Sequence, residues 1–231
     1  MDLPLWGDYI DIHTHGSSPI PGIYAIENLM AHEGRTPGDI PEQAFTYGIH
    51  PWYLEYHTVD RLISRVQAVT GFTNLFAIGE AGFDKLRGPS NELQLKAFEA
   101  QVLISEEIKK PVVIHCVRAW DELLPAIKRL KPKMPWLIHG FRGNVELATQ
   151  LLSKGMYLSF WLDFVMRPES SKLLRSLPKN RIFLETDGAD VNIRAIYDKV
   201  AADLNLSVDE LKKVILKNFK EFFIQYNDKL A

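Results

Sequence analysis

Short apolar runs alternate with amphipathic stretches along most of this chain. The runs fall at residues 9–12, 23–26, 44–49, 75–78, 112–114, 136–138, 156–160 and 182–184. Each is brief and often β-branched or aromatic, the pattern of strands buried on both faces. Between them apolar positions recur at helical spacing, over 59–69, 91–108, 119–130, 145–152 and 170–177. Three further helical segments, 193–204, 208–216 and 219–225, follow the last run, and Ser207 with Glu210 three residues on forms a capping box for the second. Strand alternating with helix predicts a parallel sheet, because parallel neighbours need a crossover connection. Up to eight such strands predict an α/β fold of the TIM-type (β/α) barrel class, with an open doubly wound sheet as the alternative. Residues 16–45 break the rhythm. Pro19, Pro21, Pro37 and Pro41 fall there without a helical pattern, so the early βα units read as abbreviated. No linker or low-complexity tract divides residues 1–231, which read as a single domain.

Charge narrows the picture. The 27 Lys+Arg stand against 29 Asp+Glu, a net charge of −2. That balance argues against a polybasic nucleic-acid coat or membrane binder, and leaves an anionic substrate to be held by a local site. One cysteine rules out an internal disulfide framework or a Cys-rich zinc module and fits a reducing compartment. No apolar run approaches the ~18 residues that span a bilayer, and residues 1–4 show no basic leader region. The expectation is a cytoplasmic protein with no membrane segment and no obligate protein partner.

The chemistry-bearing residues sit where strand runs end. Asp11, His13 and His15 alternate along the first run and so share one face. Two imidazoles two residues apart can chelate one ion, or can simply cap a strand. Glu80, His115, His139 and Asp187 repeat the placement after later runs. Singly, such a histidine is a hydrogen-bonded structural residue, and such a carboxylate a cap for the next helix. A parallel barrel gathers the C-terminal ends of its strands at one mouth, so six residues of this kind predict a metal site there. His115 and His139 are 24 residues apart, about one βα repeat. Cys116, next to His115, points by parity to the opposite face, under a helix. Arg118 and Arg142 follow metal-type histidines closely and can hold a phosphate oxygen or lie in solvent. His50, in Gly48-Ile49-His50-Pro51, can meet substrate or cap its strand. Trp52, Tyr53 and Trp161 can stack on a base or pack internally. His32 and His57 lie outside the strand runs and read as surface residues.

The order of these pieces resembles the TatD family of metal-dependent hydrolases. The matching segments are Asp11-x-His13-x-His15, Gly48-Ile49-His50-Pro51, Ile78-Gly79-Glu80, Pro111-Val112-Val113-Ile114-His115, His139-Gly140-Phe141-x-Gly143 and Glu185-Thr186-Asp187. Together they cover almost the whole chain. The chain departs from the pattern at Gly16-Ser17-Ser18, where an apolar residue and an acid usually follow the second histidine. It departs also at Val117 in place of arginine, at Arg142 in place of serine, and at Gly188-Ala189-Asp190 in place of Ser-Pro. Residues 16–45 are shorter than usual.

The resemblance implies a metal-dependent hydrolase on a TIM barrel. By it, His13, His15, Glu80, His115, His139 and Asp187 hold two divalent ions, with Glu80 bridging. Four imidazoles and two carboxylates favour Zn, Mn, Fe or Co over Mg. Asp187 is the candidate general base. Asp11, deeper on its strand, either orients the ligand histidines or anchors the strand. The leading expectation is a phosphodiesterase or deoxyribonuclease acting on nucleic-acid ends. The alternatives are hydrolysis of a small anionic ester, lactone, amide or phosphomonoester by the same two metals, and a metal-binding module without turnover. His50, Arg118 and Arg142 are the candidate substrate contacts.

Overall fold

The computed structural model describes residues 3–55 and 57–224. Its strands are β1 Tyr9–Thr14, β2 Ile23–Met30, β3 Phe45–Gly48, β4 Leu75–Asp84, β5 Val112–Val117, β6 Trp136–Ile138, β7 Tyr157–Phe160 and β8 Ile182–Leu184. They form one sheet in sequence order, β1 to β8, through parallel pairings. The helices are α1 Val59–Ala68, α2 Asn91–Ile108, α3 Trp120–Leu130, α4 Val145–Leu152, α5 Leu162–Val165, α6 Ser170–Ser176, α7 Ile193–Asp203 and α8 Val208–Phe219. Parallel strands in sequence order with helices between them are the expected (β/α) barrel class. The early units are indeed abbreviated: among the described residues, β1–β2 and β2–β3 are joined without an α-helix, and only a 3-10 turn at Pro37–Asp39 intervenes. No helix of the described residues is long and apolar enough to cross a membrane.

Several boundaries differ from the sequence expectation. β4 runs ten residues and is buried throughout, so Glu80 lies inside the strand rather than at its end. β5 likewise continues two residues past His115. An apolar count stops at Ile78 because it treats Gly79 and Glu80 as punctuation; the strand continues because its polar groups find partners. α5 is too short to show a helical period. α8 runs to Phe219 and passes directly into a π-helical turn at Lys220–Ile224 instead of ending before a separate helix. Residue 225 of that expected helix lies outside the described residues. The Ser207–Glu210 capping box forms as expected.

The described chain groups into two compact units, residues Asn28–Leu137 and residues 3–27 with 138–224. In the first, Leu29, Phe45 and Tyr47 pack with Leu62 and Val66 of α1 and Leu93 of α2. α2 also buries two glutamines. Gln101 accepts from Ile49 N at 2.7 Å and donates to Ile49 O at 3.2 Å. Gln94 accepts from Asp84 N at 2.8 Å and donates to Asp84 O at 3.0 Å. In the second unit, Tyr157, Phe183 and Phe222 form an aromatic cluster. The buried Tyr197 hydroxyl accepts from Ile10 N at 3.0 Å and donates to Ile10 O at 3.1 Å, fixing β1 against α7.

Gly82 on β4 stands opposite His115 on β5. Its φ is +152°, and a Cβ there would collide with the His115 carbonyl oxygen. Only glycine allows this approach. We expect Gly82→Ala to lower unfolding stability by about 2–4 kcal/mol, as strain at a special backbone position does, measured by urea denaturation; an unchanged midpoint would refute the close-approach reading.

Candidate metal centre

In the first unit the site is built on β4. Glu80 and Asp84 flank Gly82 by two residues on either side, so the His115 ring opposite Gly82 reaches both as diagonal neighbours. His115 Nδ1 lies 3.4 Å from Glu80 Oε2, and its Nε2 lies 3.1 Å from Asp84 Oδ2. Burial alone would raise the Asp84 carboxyl. Hydrogen bonds from His115, Trp52 Nε1 and the amides of Leu86 and Arg87 overcome that and hold it down at about 2. An ionised Asp84 can only accept, so the neutral His115 ring keeps its proton on Nε2 and turns the Nδ1 lone pair toward Glu80. A carboxylate behind a histidine is the usual way to orient a metal ligand.

Glu80 is oriented in turn. Its Oε1 accepts from Asn28 Nδ2 at 3.1 Å, while Asn28 Oδ1 accepts from Thr46 Oγ1 at 2.8 Å and from Glu80 N at 3.1 Å. His50 follows Ile49, which Gln101 holds, and caps a 3-10 turn at Pro51–Tyr53. Its Nδ1 accepts from Trp52 N at 3.1 Å. In the neutral ring that places the proton on Nε2, which lies 3.5 Å from Glu80 Oε2 and 3.2 Å from His115 Nδ1. His50 therefore presents a donor where His115 presents a lone pair.

In the second unit His13 is fully buried and His15 partly exposed, with their Nε2 atoms 3.8 and 3.7 Å from Asp187 Oδ1. Asp187 has φ +54°, a left-handed conformation that aspartate tolerates, and its N donates to His13 O at 3.1 Å. Asp11 accepts from Thr186 N at 3.0 Å and from Thr186 Oγ1 at 2.6 Å. Burial pushes the Asp11 carboxyl up to about 7 against the effect of those bonds. Asp11 thus grips the residue preceding Asp187. The His139 ring lies 4.6 Å from that of His13, and its Nδ1 lies 3.5 Å from Glu185 Oε1. Burial works to raise the Glu185 carboxyl, but His139, His13 and Ser159 together carry it below its ordinary range. Glu185 also accepts from Gly140 N and from Ser159 Oγ, each at 2.6 Å. The loop after His15 is tied down by buried Glu27, which accepts from Gly16 N, Ser17 N and Ser17 Oγ at 2.5, 3.0 and 2.9 Å.

Two groups of metal-type side chains within a unit thus converge, His13–His15–Asp187 and His50–Glu80–His115, each with its atoms within 4.8 Å of one another; in the latter the proton on His50 Nε2 leaves Glu80 and His115 as the lone-pair donors. Tetrahedral ligands at ~2.0–2.1 Å from an ion stand roughly 3.4 Å apart. The separations of 3.8, 3.7 and 3.4 Å at Asp187 and Glu80 are close to that. The donor sets fit divalent ions, and their imidazole content suits Zn, Mn, Fe or Co better than Mg.

Other candidates stand elsewhere. Arg118 is exposed, with φ +49°. Arg142 is exposed over the Trp161 ring, 4.5 Å from its centroid. His57 is 80% exposed, as expected. His32 is not a free surface residue: it is half-buried and stacks on Tyr53 at 3.6 Å and 13°, because the turn after His50 brings Tyr53 onto it. Cys116 is half-buried, with its thiol pushed by burial up to about 12 and so unreactive. The sequence reading missed Asp84, Asn28 and the orienting role of Glu185. The alternation Glu80-x-Gly82-x-Asp84 was the available signal for the first; Asn28 carried none.

Fold and donor chemistry together describe a (β/α) barrel whose side chains can hold divalent ions. The family model described as TatD related DNase matches residues 38–224, and the chain belongs to that family. It is 27% identical to an uncharacterized metal-dependent hydrolase of Methanocaldococcus jannaschii, over 77% of this chain and 74% of that protein. It is 31% identical to the 3′-5′ ssDNA/RNA exonuclease TatD of Cronobacter sakazakii, over 62% of this chain and 56% of that protein. For several such curated relatives the match spans less than two thirds of their length. The crystal structure of the TatD homolog YjjV from Escherichia coli shares the fold, with a TM-score of 0.82, 21% identity and coverage of 95% of this chain and 99% of that one.

Asp84→Asn removes the charge that fixes the His115 tautomer. We expect metal affinity to fall about 10–100-fold, measured by chelator competition with Zn, with the fold retained. Equal affinity would show that Asp84 does not orient the ligand.

Proposed function

We propose that this chain is a phosphodiesterase that trims nucleic-acid ends in the cytoplasm with two divalent ions, and that His13, His15, Glu80, His115, His139 and Asp187 are their ligands. The observation that carries this reading is the pair of donor groups around Asp187 and Glu80, with carboxylates set behind His115 and His139 to fix their lone pairs. The ssDNA/RNA exonuclease named among the relatives supports nucleic acid as the substrate.

Divalent ions held by these residues would supply Lewis acidity to a phosphoryl group, lower the pKa of an attacking water, and outweigh the two ligand carboxylates so that the site would attract an anion. Asp187, whose preceding residue Thr186 is held by Asp11, would be the group that accepts a proton from the attacking water. His50, with its proton on Nε2, donates to a substrate oxygen. Glu80 holds the ligand spacing through Asn28.

Hydrolysis of a small ester, lactone, amide or phosphomonoester is the second reading. It is favoured by the changed wall segments, Gly16-Ser17-Ser18, Val117, Arg142 and Gly188-Ala189-Asp190. A panel of single-stranded DNA and RNA ends, small esters, lactones, amides and phosphomonoesters separates the two. A metal-loaded protein that turns over none of them would be a binding module.

Asp187→Asn is expected to retain metal while turnover falls roughly 10²–10⁴-fold; unchanged turnover on every substrate would overturn the assignment of the base. Glu80→Gln should instead lower the metal-to-protein ratio, since a neutral amide leaves the repulsion between two cations uncompensated. A full complement of metal in that variant, by elemental analysis, would exclude the bridging role.

A further inference from the structure

We propose that the cleft beside His50, lined by His32, Trp52, Tyr53, Arg61, Leu62 and Arg65, binds the nucleotide adjoining the scissile phosphodiester. Its base lies against Tyr53 and its phosphate is held by the two arginines. The proposal rests on the phosphodiesterase reading above and adds a place for the substrate strand.

The cleft shares a wall with the metal-type residues of its unit. The His50 ring lies 4.7 Å from Trp52 and 5.8 Å from Tyr53, and Trp52 donates from its indole to Asp84 at 2.6 Å. A strand held at His50 and His115 therefore meets this cleft next. Tyr53 is set for stacking: His32 backs its ring, and burial keeps His32 toward the neutral form. Tyr53 nonetheless keeps 37% of its surface exposed. A ring held on one side and open elsewhere is what base stacking uses.

The charge completes the argument. Arg61 and Arg65 are four residues apart on α1 and so stand on one face of it. Like charges at that spacing repel, and an anion between them relieves the repulsion. Arg65 Nη1 donates to Ala31 O at 2.7 Å, which anchors one guanidinium in place. Arg61 forms no ion pair among the described residues. Of the acids nearby, Glu55 lines the cleft with its carboxylate 3.0 Å from His57, Glu33 acts on His32, and Asp60 pairs with Lys96 at 2.8 Å. Guanidinium groups match phosphate with paired hydrogen bonds. The volume, about 340 Å³, sits at the low end of the ~300–1,000 Å³ range of ligand pockets. That suits one nucleotide of a single strand.

The test compares the metal-loaded protein with Arg61→Ala and Tyr53→Leu on two substrates. One is a single-stranded pentadeoxynucleotide, and the other is bis(p-nitrophenyl) phosphate, an ester with no nucleotide to place in the cleft. Each variant should raise KM for the pentanucleotide roughly 5–50-fold with kcat within about twofold, and should leave KM for the ester in place. Equal pentanucleotide KM values in wild type and both variants overturn the subsite, as does a parallel rise on both substrates. A wild type that hydrolyses neither substrate overturns the phosphodiesterase reading, and the subsite is then decided by titration with dAMP, followed by tryptophan fluorescence. Binding that weakens at least fivefold in Arg61→Ala upholds it; no binding, or equal binding, overturns it.

Discussion

An imidazole offers a lone pair to a metal only when its one ring proton is committed elsewhere. That requirement governs how this chain spends its buried polar groups. Asp84 takes the proton side of His115 and Glu185 lies behind His139. A buried carboxylate is tolerable only if several donors stabilise its charge. Asp84 has Trp52 and two backbone amides in addition to His115; Glu185 has Ser159 and Gly140 in addition to His139. Each histidine thus brings a carboxylate, and each carboxylate brings its own shell of donors.

The scaffold is arranged around those demands. α2 uses two otherwise expensive positions for Gln94 and Gln101, seven residues apart and so on one face. One satisfies both backbone groups of Asp84, the other both of Ile49 next to His50. Buried glutamines that pair fully with a strand backbone cost little and fix its position, whereas half-paired ones would destabilise the core. In the second unit Tyr197 does the same for Ile10, one residue before Asp11.

Most strands and helices were legible because their periodicity is set by local burial. α2 and α4 fall on the expected residues. The early units lacking helices were legible too, through their prolines. What escaped was polar burial. Glu80 read as a strand exit and Asp84 drew no reading, since a charge normally marks the surface, and the partners that keep them inside come from Asn28 and His115, distant in sequence. His50 read as either a substrate contact or a cap; it caps the turn after it, and its ring also faces Glu80. Glu185 read only as part of the Glu185-Thr186-Asp187 segment; only the contacts of Ser159 and Gly140 reveal its task. Donors paired across 26 to 52 residues leave no trace in a window of ten.

The comb of Glu80, Gly82 and Asp84 has an evolutionary consequence. Three alternate positions of one strand set how His115 is held, and the helix behind them holds the strand. Residues 16–45 and the cleft beside α1 enter it through the bonds of Asn28 to Glu80 and of Trp52 to Asp84; the remainder of both segments stands outside it. Drift in that remainder can therefore alter which molecule is admitted while the proton bookkeeping of the reactive groups stays intact. A lineage built on this strand can change diet without relearning its chemistry.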